Sequence, residues 1–201
     1  MVLRAVGRTF IALGVLILMF LGYQLWGTNL VAKQHQSALA ADLQPVLDEP
    51  SPSASPSPID RRPDPGSGIA VIRIPKISVD SVVVEGVSVE DLKKGPGHVR
   101  GMALPGEKGN VVISGHRTTY GAPFYRLDEV KVGDEIKLFD RSGEYTYIVT
   151  ETRIVSPDDQ TIVVPSTDAR LTLTTCHPRY SAKKRLIVFA ALQGEPKAAA
   201  A

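Results

Sequence analysis

The sequence predicts a mostly β domain, an eight-stranded barrel or sandwich with short helices, set behind an N-terminal transmembrane helix. Three observations predict it: eight short β-branched or aromatic runs separated by turn residues, an uncharged apolar stretch from Thr9 to Ala32, and a Pro/Ser segment between stretch and runs.

The apolar stretch comes first. Arg4 and Arg8 precede it, and it is rich in Leu, Ile, Val, Phe and Met. A helix crosses a bilayer in roughly 20 residues, so residues 9–32 are expected to form a signal anchor, with residues 1–8 as a short cytoplasmic N-terminus. A cleaved signal peptide is the competing reading, with Ala38–Ala41 as its cleavage site, but a signal's apolar region is shorter than this one. Only Lys33 follows closely before Asp42, Asp48 and Glu49, so the positive-inside rule puts the rest of the chain outside the cell. Tyr23 and Trp26 fall where amphipathic aromatics favour the membrane interface.

Residues 33–68 are expected to be an extracellular Pro/Ser-rich linker, with Pro-Ser-Pro-Ser-Ala-Ser-Pro-Ser-Pro at its centre. Such a segment buries too little apolar area to offset the entropy of ordering it. Residues 69–192 are the expected folded domain, large enough for a single core, and 193–201 a tail too short to span a membrane.

Within the domain the expected strands are Ala70-Val-Ile-Arg-Ile, Val82-Val-Val, Asn110-Val-Val-Ile-Ser, Glu135-Ile-Lys-Leu-Phe, Tyr145-Thr-Tyr-Ile-Val-Thr, Thr161-Ile-Val-Val, Leu171-Thr-Leu-Thr-Thr and Leu186-Ile-Val-Phe-Ala. Pro105-Gly-Glu-Lys-Gly and Asp140-Arg-Ser-Gly are turn signals. Short helices are expected at Ser88–Lys94 and near Pro123–Leu127.

The formal net charge is only +2, with Lys and Arg scattered, which argues against nucleic acid as a partner. The glycine clusters Gly95-Pro-Gly97 and Gly106–Gly109 lack the strand-to-helix setting of a phosphate loop. His98, His116, Cys176 and His177 lack the paired spacing of a zinc site, so no metal site is expected. No cofactor is required, although Glu85, Glu90 and Asp91 leave calcium open.

The chain has one cysteine, Cys176, at the end of the alternating run Leu171–Thr175. In an exported protein a lone thiol is buried and inert, bonded to another chain, or reactive. An unperturbed thiol has a pKa of about 8.5, so a reactive one needs a cation, a base or a helix terminus nearby. The candidate partners are His98, His116 and His177, with Arg100, Arg117, Arg126, Arg179 and Arg185. If the strand continues through Cys176, His177 points to the opposite face. His116 follows another strand that ends in glycine, so two strand ends can bring imidazole and thiol together. Arg185 opens the next strand, and a hairpin return over Pro178–Lys184 would bring it beside the thiol.

Asn110-Val-Val-Ile-Ser-Gly-His-Arg, then Gly-Ala-Pro-Phe-Tyr-Arg-Leu, then Thr-Leu-Thr-Thr-Cys-His-Pro with Lys-Arg-Leu-Ile-Val, resembles the sortase family of Gram-positive cell-surface transpeptidases. The chain looks most like class E, with class D as runner-up, over about Ile69–Leu192. The resemblance implies an eight-stranded sortase-type β-barrel, with Cys176 as nucleophile, His116 as general acid and base, and Arg185 beside the developing oxyanion. It further implies that Thr175 helps order substrate or the oxyanion site, and Tyr120 is a candidate for lining the groove. Related sequences often carry proline in place of Arg100 and a smaller residue in place of Met102, which bears on sorting-motif preference.

The activity implied is cleavage of an LxxTG-type signal, LAxTG by the class E likeness, between Thr and Gly through a thioester. A cell-wall amine then takes over the acyl group. The implied partners are LxxTG-bearing surface proteins and a peptidoglycan stem peptide or its lipid-linked precursor, at the membrane. The competing functions are a pilin-polymerising sortase, a cysteine peptidase releasing its acyl group to water, and a non-catalytic barrel that binds peptides along a sheet edge.

Overall fold

Residues 2–23, 27–48 and 63–196 are described in a computed structural model. Eight strands close into a barrel: β1 (Gly68–Ile74), β2 (Val79–Glu85), β3 (Gly97–His98), β4 (Gly109–Ser114), β5 (Glu135–Asp140), β6 (Gly143–Val155), β7 (Ala169–His177) and β8 (Lys184–Leu192). Their order around the barrel is β1-β2-β3-β4-β7-β8-β6-β5, and β1 pairs with β5 to complete the ring. Neighbours are antiparallel except β2/β3 and β4/β7. Closure leaves no long unpaired edge, which suits a domain built from short β-branched runs.

Alternation sorts the side chains. Val111 and Ile113 of β4, Leu171 and Leu173 of β7, and Leu186, Val188 and Ala190 of β8 all join the interior core, with Ile72, Ile74, Ile136, Leu138 and Tyr147 from the other wall. The residues between them face outward. Asn110 accepts from the Thr172 hydroxyl at 2.7 Å there, and Ile187 packs with Val155, Ile162 and Phe189 in a separate outer cluster. Tyr147 is fully buried, its oxygen accepts from the Gly106 N–H at 2.8 Å, and burial pushes its pKa up to about 12.

Seven of the eight expected strands are present, and the eighth is elsewhere. Thr161–Val164 was expected as a strand on its β-branched content. Instead Gln160–Val163 is a 3-10 turn capped by Asp159, with Ile162 buried against the outer cluster and two backbone carbonyls bonded by Asn110. A short apolar run can bury itself as a turn over a sheet as well as within one. The missing strand is β3, two residues long, which no periodicity can reveal. The helix expected at Ser88–Lys94 is α3 (Val89–Lys94), and Ser88 and Asp91 form its capping box. Near Pro123–Leu127 the chain makes only a 3-10 turn, Leu127–Glu129.

At the N-terminus the apolar helix α1 spans Val2–Gly22 and overlaps the stretch 9–32 expected as anchor, with mean hydropathy 2.1 and no buried residue. A second helix, α2 (Thr28–Asp48), occupies the first half of the segment expected as linker. It rests against α3, β1 and β2, with Ala32 and Leu43 buried. Gln36 explains the docking. Its side-chain amide donates to Val82 O at 3.0 Å and Lys94 O at 2.8 Å, and its carbonyl accepts from Val82 N at 2.7 Å. The side chain thus stands in for a neighbouring strand where β2 has outrun the short β3. Replacing Gln36 with leucine is expected to lower stability by about 1–3 kcal/mol, because the part-buried Val82 amide is left without its acceptor. Denaturant titration of the full chain checks it, and an unchanged midpoint would show the contact to be dispensable. Trp26, the Pro/Ser centre at residues 49–62 and tail residues 197–201 lie outside the described residues.

Candidate active site

The two strand ends singled out in the sequence meet. β4 and β7 run parallel, with Ile113 beside Leu173 and Ser114 beside Thr174. Gly115 N then donates to Thr174 O at 3.1 Å, and the Thr175 hydroxyl donates to Gly115 O at 2.8 Å. One residue further along each chain, after Gly115 and Thr175, come His116 and Cys176. Both are half-buried. Cys176 also lies directly opposite Arg185 in the antiparallel β7/β8 pairing, so these two side chains share a face of the sheet. By strand parity that is the outer face, shared with Asn110, Thr172, Thr174 and Ile187.

Glycine at 115 has a specific cause. A Cβ there would lie 2.5 Å from the ring of Phe124, which is fully buried. Phe124 N donates to His116 O at 3.2 Å, so the loop leaving β4 folds back over its own start. Within that loop the Tyr120 ring packs on the His116 ring, with centroids 5.2 Å apart. Tyr120, Gly121 and Ala122 all have positive φ, a costly conformation for the two residues with side chains. Asn29 of α2 accepts from Gly121 N at 2.9 Å, which ties the N-terminal helix to this strained stretch. Burial lowers the pKa of His116 below the usual histidine value, so the ring is neutral at pH 7.

The remaining candidates separate by their partners. His98 is buried, its Nδ1 2.7 Å from the Glu85 carboxylate and its Nε2 2.9 Å from Ala103 O. His177 faces Arg117 at 3.3 Å, on the side opposite Cys176, as alternation requires. Arg126 pairs with Glu129 and Arg179 with Asp128. Arg100 reaches Glu85 only at 3.9 Å. Arg185 donates from one guanidinium nitrogen to the carbonyls of Ala182 at 3.1 Å and Lys184 at 3.2 Å, in the turn beside Cys176. Thr175 is buried and its hydroxyl is committed to Gly115, so its place is between the strand ends rather than on the Cys176 face.

Among the described residues no three His, Cys, Asp or Glu side chains gather closely enough to hold a metal ion. A half-buried thiol, a neutral imidazole at the matching strand end and a guanidinium on the same face are the parts that acyl transfer through a thioester needs.

Residues 72–193 match the family model of the sortase domain. The chain belongs to the sortase family. Sortase D of Bacillus subtilis (strain 168) is 34% identical over 89% of this chain and 93% of its own length. Sortase SrtE1 of Streptomyces coelicolor is also 34% identical, over 92% of this chain but 56% of its own length. Among solved structures, the Clostridium perfringens sortase D5 transpeptidase superposes with a TM-score of 0.70 at 31% identity, over 80% of this chain and 99% of its own. Sortase E from Streptomyces avermitilis gives 0.60 at 36% identity, over 67% of this chain and 93% of its own. The eight-stranded barrel is therefore a sortase barrel, and the protein is a cysteine transpeptidase of the class E/D kind, in a family that acts on surface proteins bearing sorting signals.

Proposed function

We propose that this sortase uses Cys176, His116 and Arg185 to cleave an LxxTG-type sorting signal, with LAxTG preferred, and to join the released carboxyl to a cell-wall amine. The observation that supports this reading is the register: β4 and β7 pair side by side up to Ser114 and Thr174, two residues before His116 and Cys176, and β7/β8 pairing sets Arg185 opposite Cys176. The Cys176 thiolate attacks the carbonyl carbon of the signal's Thr. Arg185 and backbone amides stabilise the oxyanion, and donors of this kind contribute about 3 kcal/mol each. His116 protonates the Gly amine as the C–N bond breaks, leaving a Cys176 thioester. The amine of a peptidoglycan stem peptide or its lipid-linked precursor then attacks the thioester, His116 takes its proton, and the thiol is restored.

The helix α1 is long and apolar enough to anchor the enzyme, with Arg4 and Arg8 at its start holding the N-terminus in the cytoplasm and the barrel outside. A solved sortase C from Clostridium perfringens holds a C-terminal cell wall sorting motif, which supports the substrate class assigned to this chain.

Mass spectrometry of the full chain in detergent tests the reading. With an LAxTG peptide, the expected result is cleavage after Thr, an acyl adduct on Cys176, and an amine-linked product when a glycine-type or diaminopimelate-type amine is added. Cys176→Ala should give none of these. Hydrolysis that ignores the amine would make the protein a peptidase, and absence of any adduct with LAxTG or LPxTG peptides would leave a binding module.

A further inference from the structure

Beneath the outer face that carries Cys176 lies a second pair, made by the residues that follow His116 and Cys176. His177 has the opposite parity to Cys176 on β7, and there it meets Arg117, with 3.3 Å between a guanidinium nitrogen and His177 Nδ1. Arg117 is only 2% exposed, which is unusual for an arginine and demands partners. Each of its nitrogens has one. Nε donates to Tyr125 O at 3.3 Å, one terminal nitrogen donates to Cys176 O at 3.2 Å, and the other meets the Asp128 carboxylate at 2.9 Å.

These bonds join three segments that must agree in position for the chemistry to work. Arg117 is covalently next to His116. Its guanidinium holds the backbone of Cys176. Through Tyr125 O and Asp128 it also holds the loop that returns past His116. Asp128 in turn is held by Arg179, at 2.9 and 3.2 Å, and the Arg179 guanidinium stacks on the Tyr125 ring at 4.4 Å. Burial works to raise the Asp128 pKa, but the Arg179 hydrogen bond and the Arg117 charge outweigh it, so its carboxyl titrates below the ordinary aspartate range. The clasp therefore stays ionised across the neutral range.

We infer that Arg117 is a positioning residue: its buried fork, anchored by Asp128, fixes the Cys176 backbone relative to His116 and so sets the thiol–imidazole alignment. This rests on the roles proposed above for Cys176 and His116. Lysine cannot replace it, because a single ammonium cannot span Tyr125 O, Cys176 O and Asp128 in the fixed planar geometry of a guanidinium.

The test uses Arg117→Gln and Arg117→Lys in the full chain, with Tyr147→Phe as a barrel variant that loses a buried hydrogen bond away from the site. Two readouts are taken: kcat and KM on a sorting-signal peptide, and the rate at which iodoacetamide alkylates Cys176 in the folded protein, which needs no sorting signal. Both Arg117 variants are expected to lose about 10²-fold in kcat, with KM within about twofold, the size of effect that a misplacement near 1 Å produces. Alkylation of Cys176 is expected to slow roughly tenfold in both variants and to be unchanged in Tyr147→Phe. Arg117→Lys keeps the buried charge opposite Asp128 and serves if Arg117→Gln fails to fold. Wild-type kcat and alkylation in Arg117→Lys, or equal losses in Tyr147→Phe, would overturn the assignment. A chain that turns over no peptide yet shows slowed alkylation in the Arg117 variants would refute the proposed substrate while supporting the clasp.

Discussion

Replacing His116 with alanine is expected to lower kcat by about 10²–10⁴-fold, the contribution of a positioned general acid and base, while folding is kept. The residue is half-buried beside Tyr120, and its ring makes no hydrogen bond to the barrel among the described residues, so the loss should be catalytic rather than structural. The pH profile of the unmodified enzyme carries a sharper expectation. Attack and leaving-group protonation both use a thiol–imidazole pair that holds one proton in total. Acid adds a second proton to the pair and base removes the last one, so kcat/KM is bell-shaped. The acid limb follows the group that loses its proton first on raising the pH. Burial disfavours the imidazolium and lowers the His116 pKa, so this limb is expected below the ordinary histidine value of about 6.5. Stopped-assay rates between pH 4 and 10 check it. An acid limb at or above the ordinary value, or a profile that survives His116→Ala, would remove His116 from the reaction.

The same shift bears on how the active form arises. Burial disfavours the imidazolium, so His116 rests neutral and, in the proposed mechanism, takes its proton only when thiol and imidazole are aligned. Arg185 stands opposite Cys176 on the shared face. In that mechanism anything that loosens the alignment of thiol, imidazole and guanidinium lowers the rate. The Arg117–Asp128–Arg179 clasp therefore matters more here than a buried ion pair would in a distant part of the barrel.

Most of the site was legible in the sequence because its parts sit at strand ends, and strands announce themselves by alternation. Val111-Val-Ile-Ser-Gly and Leu171-Thr-Leu-Thr-Thr each lead to a polar residue, and the pairing of the two ends follows once the barrel closes. Parity sets His177 on the far face, yet sequence alone leaves Arg117, next to His116, among five candidate cations. What separated them was partners contributed by distant segments: Asp128 for Arg117 and Arg179, Glu129 for Arg126 and Glu85 for Arg100. Two elements escaped for related reasons. β3 is too short to have a period, and α2 contains enough Ala, Gln and Leu to form a helix but reads as linker beside the Pro/Ser segment. Its docking depends on one side chain, Gln36, finding the gap left by β3.

Removing either member of the buried Glu85–His98 pair is expected to cost about 3–5 kcal/mol. Both side chains are at most 2% exposed, and they meet at 2.7 Å. His98 Nε2 faces the Ala103 carbonyl at 2.9 Å and so must donate to it, which leaves Nδ1 and the Glu85 carboxyl to share the remaining proton. Wherever that proton sits, the pair has no net charge, and both groups are satisfied. Glu85→Leu strands a buried imidazole, and His98→Leu strands a buried carboxylate whose remaining cation, Arg100, stands 3.9 Å away and is mostly exposed. For a domain of this size the loss corresponds to a fall in Tm of about 10–20 °C. A double substitution, Glu85→Leu with His98→Leu, removes both polar groups together and is expected to recover most of the loss. The consequence reaches the site, because His98 is half of β3, and β3 is the only link between β2 and β4 in the ring. Gly97 pairs with Ser114, two residues before His116. Thermal melts of the two single variants and the double variant, read as a double-mutant cycle, decide the matter: coupling of several kcal/mol identifies the pair as the lock on that seam, and additive losses would show that β3 is held by its backbone bonds alone.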